Sequence, residues 1–437
     1  MNNPGLRAPL RHRAFRRLAV SYAVNELGDW MGIVALAVLV FDQTDSALAT
    51  AGLFLGTRFL PALLAPVLVA RVERPAPRFA LPVIYAGEAA AFGGLALLVS
   101  NFSLAAVIGV ATLDGTLALT GRSLTRAVVA TLLEPSGELR AGNAILNVAF
   151  TGGAAVGPAI AGLVVAQFGV QTALLLDAAS FYAVAWILLG AGPLPHAEAE
   201  PGKLRERVRA GIAYIRSTPP LGRLLTAQAA AFIFFAAVIP IEVIYAKETL
   251  HAGDTGYGLL LASWGGGMVL GSVAFAVLRR MSLALLLLVS TLAVGVGYLG
   301  LAVAPTLAVA CAASVVGGAG NGVQWVAVVS AIQELTAQLM QARVLSVLES
   351  IGAAMPGVGY LVGGLVGTGH HARTVFLVAG AGVLAVVAVA APLLRGRWGR
   401  GGSASAVAAL ESGNEVMVEL RPTRGLGPTE ARSLGGP

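Results

Sequence analysis

Glu26 and Asp29 lie in SYAVNELGDWMGIVALAVLVF, residues 21–41, a run otherwise suited to lipid or a dry core. An ionised side chain at the centre of a bilayer costs on the order of 3 kcal/mol even on insertion scales, so such a residue persists only with a partner or a task. Three positions apart on a helix, the two acids share one face. Glu88, Asp114 and the cation Arg58 are embedded in similarly apolar runs. Carboxyl groups at such depth can bind and release a proton in step with a second ligand, and an excess of acid favours cationic or proton-exchanged ligands over anions. A structural reading stands beside this one: Arg58 pairs with Asp29, while Glu26, Glu88 and Asp114 sit protonated and hydrogen-bonded between helices. No nucleophile with a base, phosphate loop or metal-ligand spacing is present, so neither an enzyme nor a metal or organic cofactor is expected. The single Cys311 excludes an intramolecular disulfide.

The elements that hold these charges follow from composition. Hydrophobic residues make up 57% of the 437-residue chain and charged residues 12%, whereas a soluble domain carries about 25% charged residues. A spanning helix needs about 20 mostly apolar residues to cross about 30 Å of hydrocarbon. Twelve runs qualify: 18–40, 47–70, 79–100, 104–126, 141–166, 171–190, 224–245, 256–278, 282–303, 307–330, 345–367 and 374–394. The chain is expected to be an all-α membrane protein, with the apolar run after the basic N-terminus too long for a signal peptide and read as an uncleaved first span. At 1.5 Å per residue, Asp29 and Arg58 both come out near the midplane, about 16 Å from their helix ends, with Glu88 at about 13 Å and Asp114 at about 15 Å. Asp177, Glu242 and Glu349 are placed nearer the faces.

Net charge is +7, and the position of the cations decides what that means. With the N-terminus in the cytoplasm, 26 of the 29 Lys and Arg fall on the cytoplasmic side; Lys247 and Arg373 fall outside, and Arg58 lies within a span. That is the positive-inside pattern with both termini cytoplasmic, and it speaks for anionic lipid rather than nucleic acid. Residues 51–74 align without gaps to 257–280, and GPAIAGLV (157–164) matches GYLVGGLV (359–366), making spans 2 and 8 equivalent and likewise 5 and 11. The chain divides into a six-helix bundle at 1–190, a cytoplasmic linker at 191–221, a second six-helix bundle at 222–394 and a disordered tail at 395–437. Duplicated halves with a site at their interface describe an alternating-access transporter.

GGAAVGPAIAG (152–162) is similar to the antiporter motif of the major facilitator superfamily, with Gly153, Gly157, Pro158 and Gly162 as its signature. ELGDW, RFLP, LLLDAASF, YGLLLASWGGG and RVLSVLES resemble the branch of macrolide efflux proteins, Tap-like drug pumps and enterobactin exporters. The resemblance covers about residues 13–394 and implies the major facilitator fold. It further implies proton-coupled export of lipophilic cationic or neutral small molecules such as antibiotics, by a monomer in the bacterial inner membrane driven by the proton gradient. In that reading Glu26, Asp29, Asp114 and Glu88 couple protons, and Arg71, Arg74 and Arg343 serve the cytoplasmic gate. Asn25, Asn147, Phe232, Trp264, Asn321, Gln324 and Trp325 line the substrate cavity. Ala70 stands where the family's loop between spans 2 and 3 usually has Asp, so the inner gate is expected to be held differently or more weakly. Export of an endogenous metabolite or siderophore is the alternative transport reading, and a non-transporting receptor or assembly factor the alternative of another class.

The split of cations makes topology testable. Reporter fusions after Pro201 and after Gly396 should read cytoplasmic, and a fusion within residues 251–255 should read external; a reversed reading at any of the three refutes the arrangement.

Overall fold

The computed structural model describes residues 8–72, 79–190, 204–278, 281–369 and 371–394. Arg74, linker residues 191–203, the tail and the side chain of Arg71 lie outside the described residues. Among the described residues there are only helices and their connections. Eleven helical stretches of the described residues are long and apolar enough to cross a membrane. One of them, Leu139–Leu189, contains Gly169 at φ 81° and ψ 164°, a backbone shape that breaks it into two spans. Twelve spans result: α1 (Arg13–Thr44), α2 (47–72), α3 (Ala80–Leu98), α4 (Leu104–Leu133), α5 (139–168), α6 (170–189), α7 (Pro219–Thr249), α8 (Gly253–Val277), α9 (Leu283–Val303), α10 (Leu307–Leu335), α11 (Gln338–Val366) and α12 (Ala372–Leu394). A linker helix, Leu204–Ser217, precedes α7.

Short connections are punctuated by side-chain caps. Ser46, Ser103, Ser282 and Thr306 each accept a hydrogen bond from a backbone N–H in the first turn of α2, α4, α9 and α10, which satisfies donors that have no partner inside the helix. Two spans depart from regular winding: α2 has a π turn at Leu55–Phe59, and α7 has a tight turn at Ile239–Ile241 around Pro240 and a π turn at Tyr245–Thr249.

Helix α1 packs on α5 and α6, α3 on α4 and α6, and α2 on α4; α8 packs on α10, α9 on α10 and α12, and α7 on α11 and α12. The two groups meet chiefly through α5 with α8 and α2 with α11. Backbones touch there because side chains are absent: a methyl group on Gly258 would fall 2.9 Å from the Gly162 Cα, and one on Gly364 2.7 Å from the Ala51 Cβ. In lipid, where the hydrophobic effect does not drive helices together, such close approach supplies the attraction through dispersion.

Gly169 is a position where the backbone needs glycine. A side chain in that φ/ψ region costs about 1–3 kcal/mol, so Gly169→Ala should lower the melting temperature of the detergent-purified protein, whereas Gly152→Ala, with open space at its Cα, should not.

Candidate functional site

Helix α1 delivers Glu26 and Asp29 to the interior of helices 1–6. Asn25 Nδ2 donates to Asp29 Oδ2 at 3.2 Å, so Asn25, expected in the cavity wall, belongs to the acid cluster. The cation beside them is Arg122 of α4. Its Nη2 donates to Asp29 Oδ2, and its Nε lies 3.4 Å from Glu26 Oε1. Glu26 is 1% exposed and Asp29 17%, while the Arg122 side chain keeps 23%.

This corrects the expected Arg58–Asp29 pair. Arg58 sits in the π turn of α2 with its side chain exposed, within electrostatic reach of Glu26, Asp114 and Tyr360 but without an ion pair to Asp29. Depth alone does not identify the partner: Arg58 stands in a π turn, which shifts the winding of α2 around it. Glu26 in turn is not without a cation. The signal for Arg122 was present: SLTRAVVATLL after it holds no helix breaker before Pro135, and α4 runs on to Leu133. Arg122 is therefore an interior residue, not one of the loop cations it was grouped with.

Three more acids join from other helices. Glu88 of α3 and Asp177 of α6 are fully buried, and Asp114 of α4 is half-buried. Both Glu88 carboxylate oxygens, Asp114 Oδ1 and Asp177 Oδ2 have no hydrogen-bond partner among the described residues. Asp177 was placed near a membrane face; it lies instead level with Gly28 and Gly32 of α1. Ser180 Oγ donates to its Oδ1 at 3.3 Å, and a methyl group on Gly32 would fall 2.7 Å from its Oδ2. Phe92 stacks on Phe181 at 5.5 Å between ring centroids and closes the cluster from the α3 side. Glu242 is half-buried in α7 and Glu349 exposed on α11, both away from this group.

The glycines of GGAAVGPAIAG face α1 at one end and α8 at the other. A methyl group on Gly153 would lie 3.2 Å from Glu26 Cβ, one on Gly157 2.8 Å from Trp30 Cβ, and one on Gly162 2.6 Å from the Asp254 carbonyl. Pro158 continues the helix, its carbonyl against Gly258. One helix thus carries contact from Glu26 to the opposite half. Among the described residues no group of three or more His, Cys, Asp or Glu could hold a metal ion.

The profile of a family described as "Transmembrane secretion effector", MFS_3, matches residues 5–426. The chain belongs to this family of major facilitator transporters. It is 27% identical over 396 residues to "Multidrug efflux pump Tap" of Mycobacterium tuberculosis and of Mycobacterium bovis, covering 84% of this chain and 91% of the relative. Among solved structures it is similar to the nucleoside transporter NupG, with a TM-score of 0.72 at 10% identity over 88% of this chain and 100% of that one. A bacterial homologue of the iron transporter ferroportin in an inward-facing state gives a TM-score of 0.69 at 14% identity over 88% of this chain and 99% of that one. These two likenesses concern the fold.

In this major facilitator transporter the remaining expected cavity residues scatter. Asn147 of α5 and Trp325 of α10 are exposed, and Asn321 is half-buried. Gln324 Nε2 donates to Thr291 Oγ1 at 3.0 Å inside helices 7–12. Trp264 stacks on Tyr298 at 5.2 Å and leans on Phe235, so it packs the α8–α9–α10 contact rather than forming a wall. Phe232 lies against Gly352 at 3.6 Å from where a methyl group would stand. Arg343 has its guanidinium 3.5 Å from Met340 Sδ, and its carbonyl abuts Gly211 of the linker helix. At the opposite end of the molecule Lys247 of α7 binds Asp42 of α1 at 2.5 Å and Asp254 of α8 at 2.9 Å, fastening the two groups of helices at the end where Gly162 meets Gly258.

Removing one member of a buried ion pair costs about 3–5 kcal/mol, with the lower end applying here because Arg122 keeps 23% of its side chain exposed. Arg122→Ala should therefore fold poorly or lose transport, with partial rescue by Asp29→Asn in the same chain, while Arg58→Ala should show no such coupling to Asp29. A double-mutant cycle on melting temperature and transport distinguishes the two pairings; coupling through Arg58 instead of Arg122 would reject the arrangement.

Proposed function

We propose that this transporter exports lipophilic cationic or neutral small molecules in exchange for protons, with both termini cytoplasmic. The observation that carries the proposal is one guanidinium shared by two carboxylates on consecutive turns of α1, inside a cluster of five acids. Arg122 needs one carboxylate to remain paired; the second is free to change state. When Glu26 takes a proton, Asp29 keeps Arg122 neutralised and no cation is stranded. When Glu26 loses it, the vacated charge is available to a substrate cation, so proton and substrate compete for one site, which is the coupling an antiporter requires.

Contact between Glu26 and Gly153 gives that exchange a mechanical neighbour. A substrate seated beside Glu26 bears on α5, and α5 bears on α8 through Gly162 and Gly258. The fastening of Lys247 to Asp42 and Asp254, together with exposure of Arg58, Asn147 and Trp325, suits a cavity closed at the external end and open to the cytoplasm. Glu88, Asp114 and Asp177 extend the set of proton-binding groups behind Glu26. Six helices thus hold the coupling chemistry, and the division into bundles at 1–190 and 222–394 remains part of this proposal, as do monomeric function and the use of the proton gradient.

Everted membrane vesicles with an imposed pH gradient provide the test. Accumulation of a lipophilic cationic dye should follow the gradient in the wild type. Glu26→Gln, which fixes the protonated shape, should abolish uphill dye export while leaving protein level intact and Asp29–Arg122 paired. Wild-type uphill export by Glu26→Gln would remove Glu26 from coupling, and dye accumulation indifferent to the gradient would remove proton exchange altogether.

A further inference from the structure

Outside the acid cluster a cavity of about 920 Å³ lies between the linker helix, α7, α11 and α12. Its character changes along its length. At the elbow between the linker helix and α7 stand Arg216, in the last turn of the one, and Arg223, in the first turns of the other. Both side chains are exposed, and neither has an ion-pair or hydrogen-bond partner among the described residues. Deeper along the spans the lining is small and apolar: Ala227 and Ala230 of α7 face Gly382 and Ala385 of α12 across a slot. Gly382 is where Phe234 packs edgewise into α12, so the slot ends against an aromatic ring.

We propose that this groove binds an anionic phospholipid from the leaflet on the linker side, its phosphate between Arg216 and Arg223 and an acyl chain along the alanine slot. The occupant must be apolar over the part bounded by membrane spans and anionic at the elbow, and a phospholipid of that leaflet has both properties in that order. Choline and ethanolamine headgroups would bring an amine beside two free guanidiniums, so a net negative headgroup fits better. The linker helix is itself held against the bundle: Tyr214 is buried and its hydroxyl accepts from the Ala337 N–H at 3.0 Å. A lipid seated at Arg216 would therefore brace the linker helix against α7 and α11. This inference does not depend on the proposed coupling chemistry.

Native mass spectrometry of the full chain, with phosphatidylglycerol and phosphatidylcholine of identical acyl chains, reads the site directly. Phosphatidylglycerol should be retained in preference, and the double substitution Arg216→Gln with Arg223→Gln should weaken it by about thirtyfold. Ala385→Leu, at an exposed position whose side chain points away from the core, should displace both lipids by filling the slot while leaving the arginines in place, which keeps the test decisive if the double variant is unstable. Equal retention of the two lipids, or retention of phosphatidylglycerol unchanged by both sets of substitutions, overturns the proposal. Displacement of the lipid by inorganic phosphate alone would reassign the arginines to a soluble anion. A mass corresponding to two chains in place of chain plus lipid would reassign the groove to a second copy.

Discussion

A single guanidinium among five carboxylates is the constraint around which helices 1–6 are arranged. Arg122 cannot neutralise them all, and each helix that approaches it brings an acid or makes room for one: α1 supplies Glu26 and Asp29, α3 Glu88, α4 Asp114 and α6 Asp177. Charges in a medium of low dielectric act over longer distances than in water, so these groups form one electrostatic unit although only Glu26 and Asp29 lie within ion-pair distance of the cation. Gly28 and Gly32 matter for the same reason, since a side chain at either would occupy space now taken by Asp177 or Phe92.

Much of this was legible in the sequence, and the misses have physical causes. Spans were readable because hydropathy is nearly continuous within them and the Ser and Thr caps are sharp. The equivalences of spans 2 with 8 and 5 with 11 anticipate the interface: if one half maps onto the other, contact of α5 with α8 implies contact of α11 with α2, and both are present. Depth was readable from helix rise, which is why Arg58 was a reasonable partner for Asp29. Direction was not, because a π turn adds a residue to one turn and rotates everything around it. Arg122 was missed through a different error: two arginines close together near the end of an apolar run look like the edge of a membrane, whereas α4 continues well beyond them. Asp177 was misjudged although α6 begins within one residue of the expected start; what buries it is the missing side chains of Gly28 and Gly32 on α1, which counting along its own helix does not show.

Helices 7–12 contrast with this chemistry. Their interior holds aromatic contacts, Trp264 on Tyr298 and Tyr245 on Phe376, and side chains that donate to backbone carbonyls, the Tyr245 hydroxyl to Leu301 and the Arg373 guanidinium to Ala302 and Ala304. Helices packed largely through apolar and aromatic side chains, with Glu242 of α7 as an isolated interior acid, need fewer partner groups to be matched. Repeats link spans 2 and 5 to spans 8 and 11, yet helices 1–6 gather acidic side chains in their interior and helices 7–12 aromatic ones.

The contact of Gly162 with Gly258 has a mechanical meaning of its own. Where two helices meet through side chains, turning one against the other forces interlocked groups to disengage and re-sort, and each such step raises a barrier. Backbone resting on backbone presents a nearly smooth bearing: there are no rotamers to change, and dispersion attraction varies little as the angle shifts. A fulcrum of this kind resists separation of the halves yet offers little friction to rotation. Resistance to turning at this end then comes less from the bearing than from the ion pair beside it that joins the two groups, Lys247 of α7 on Asp42 of α1.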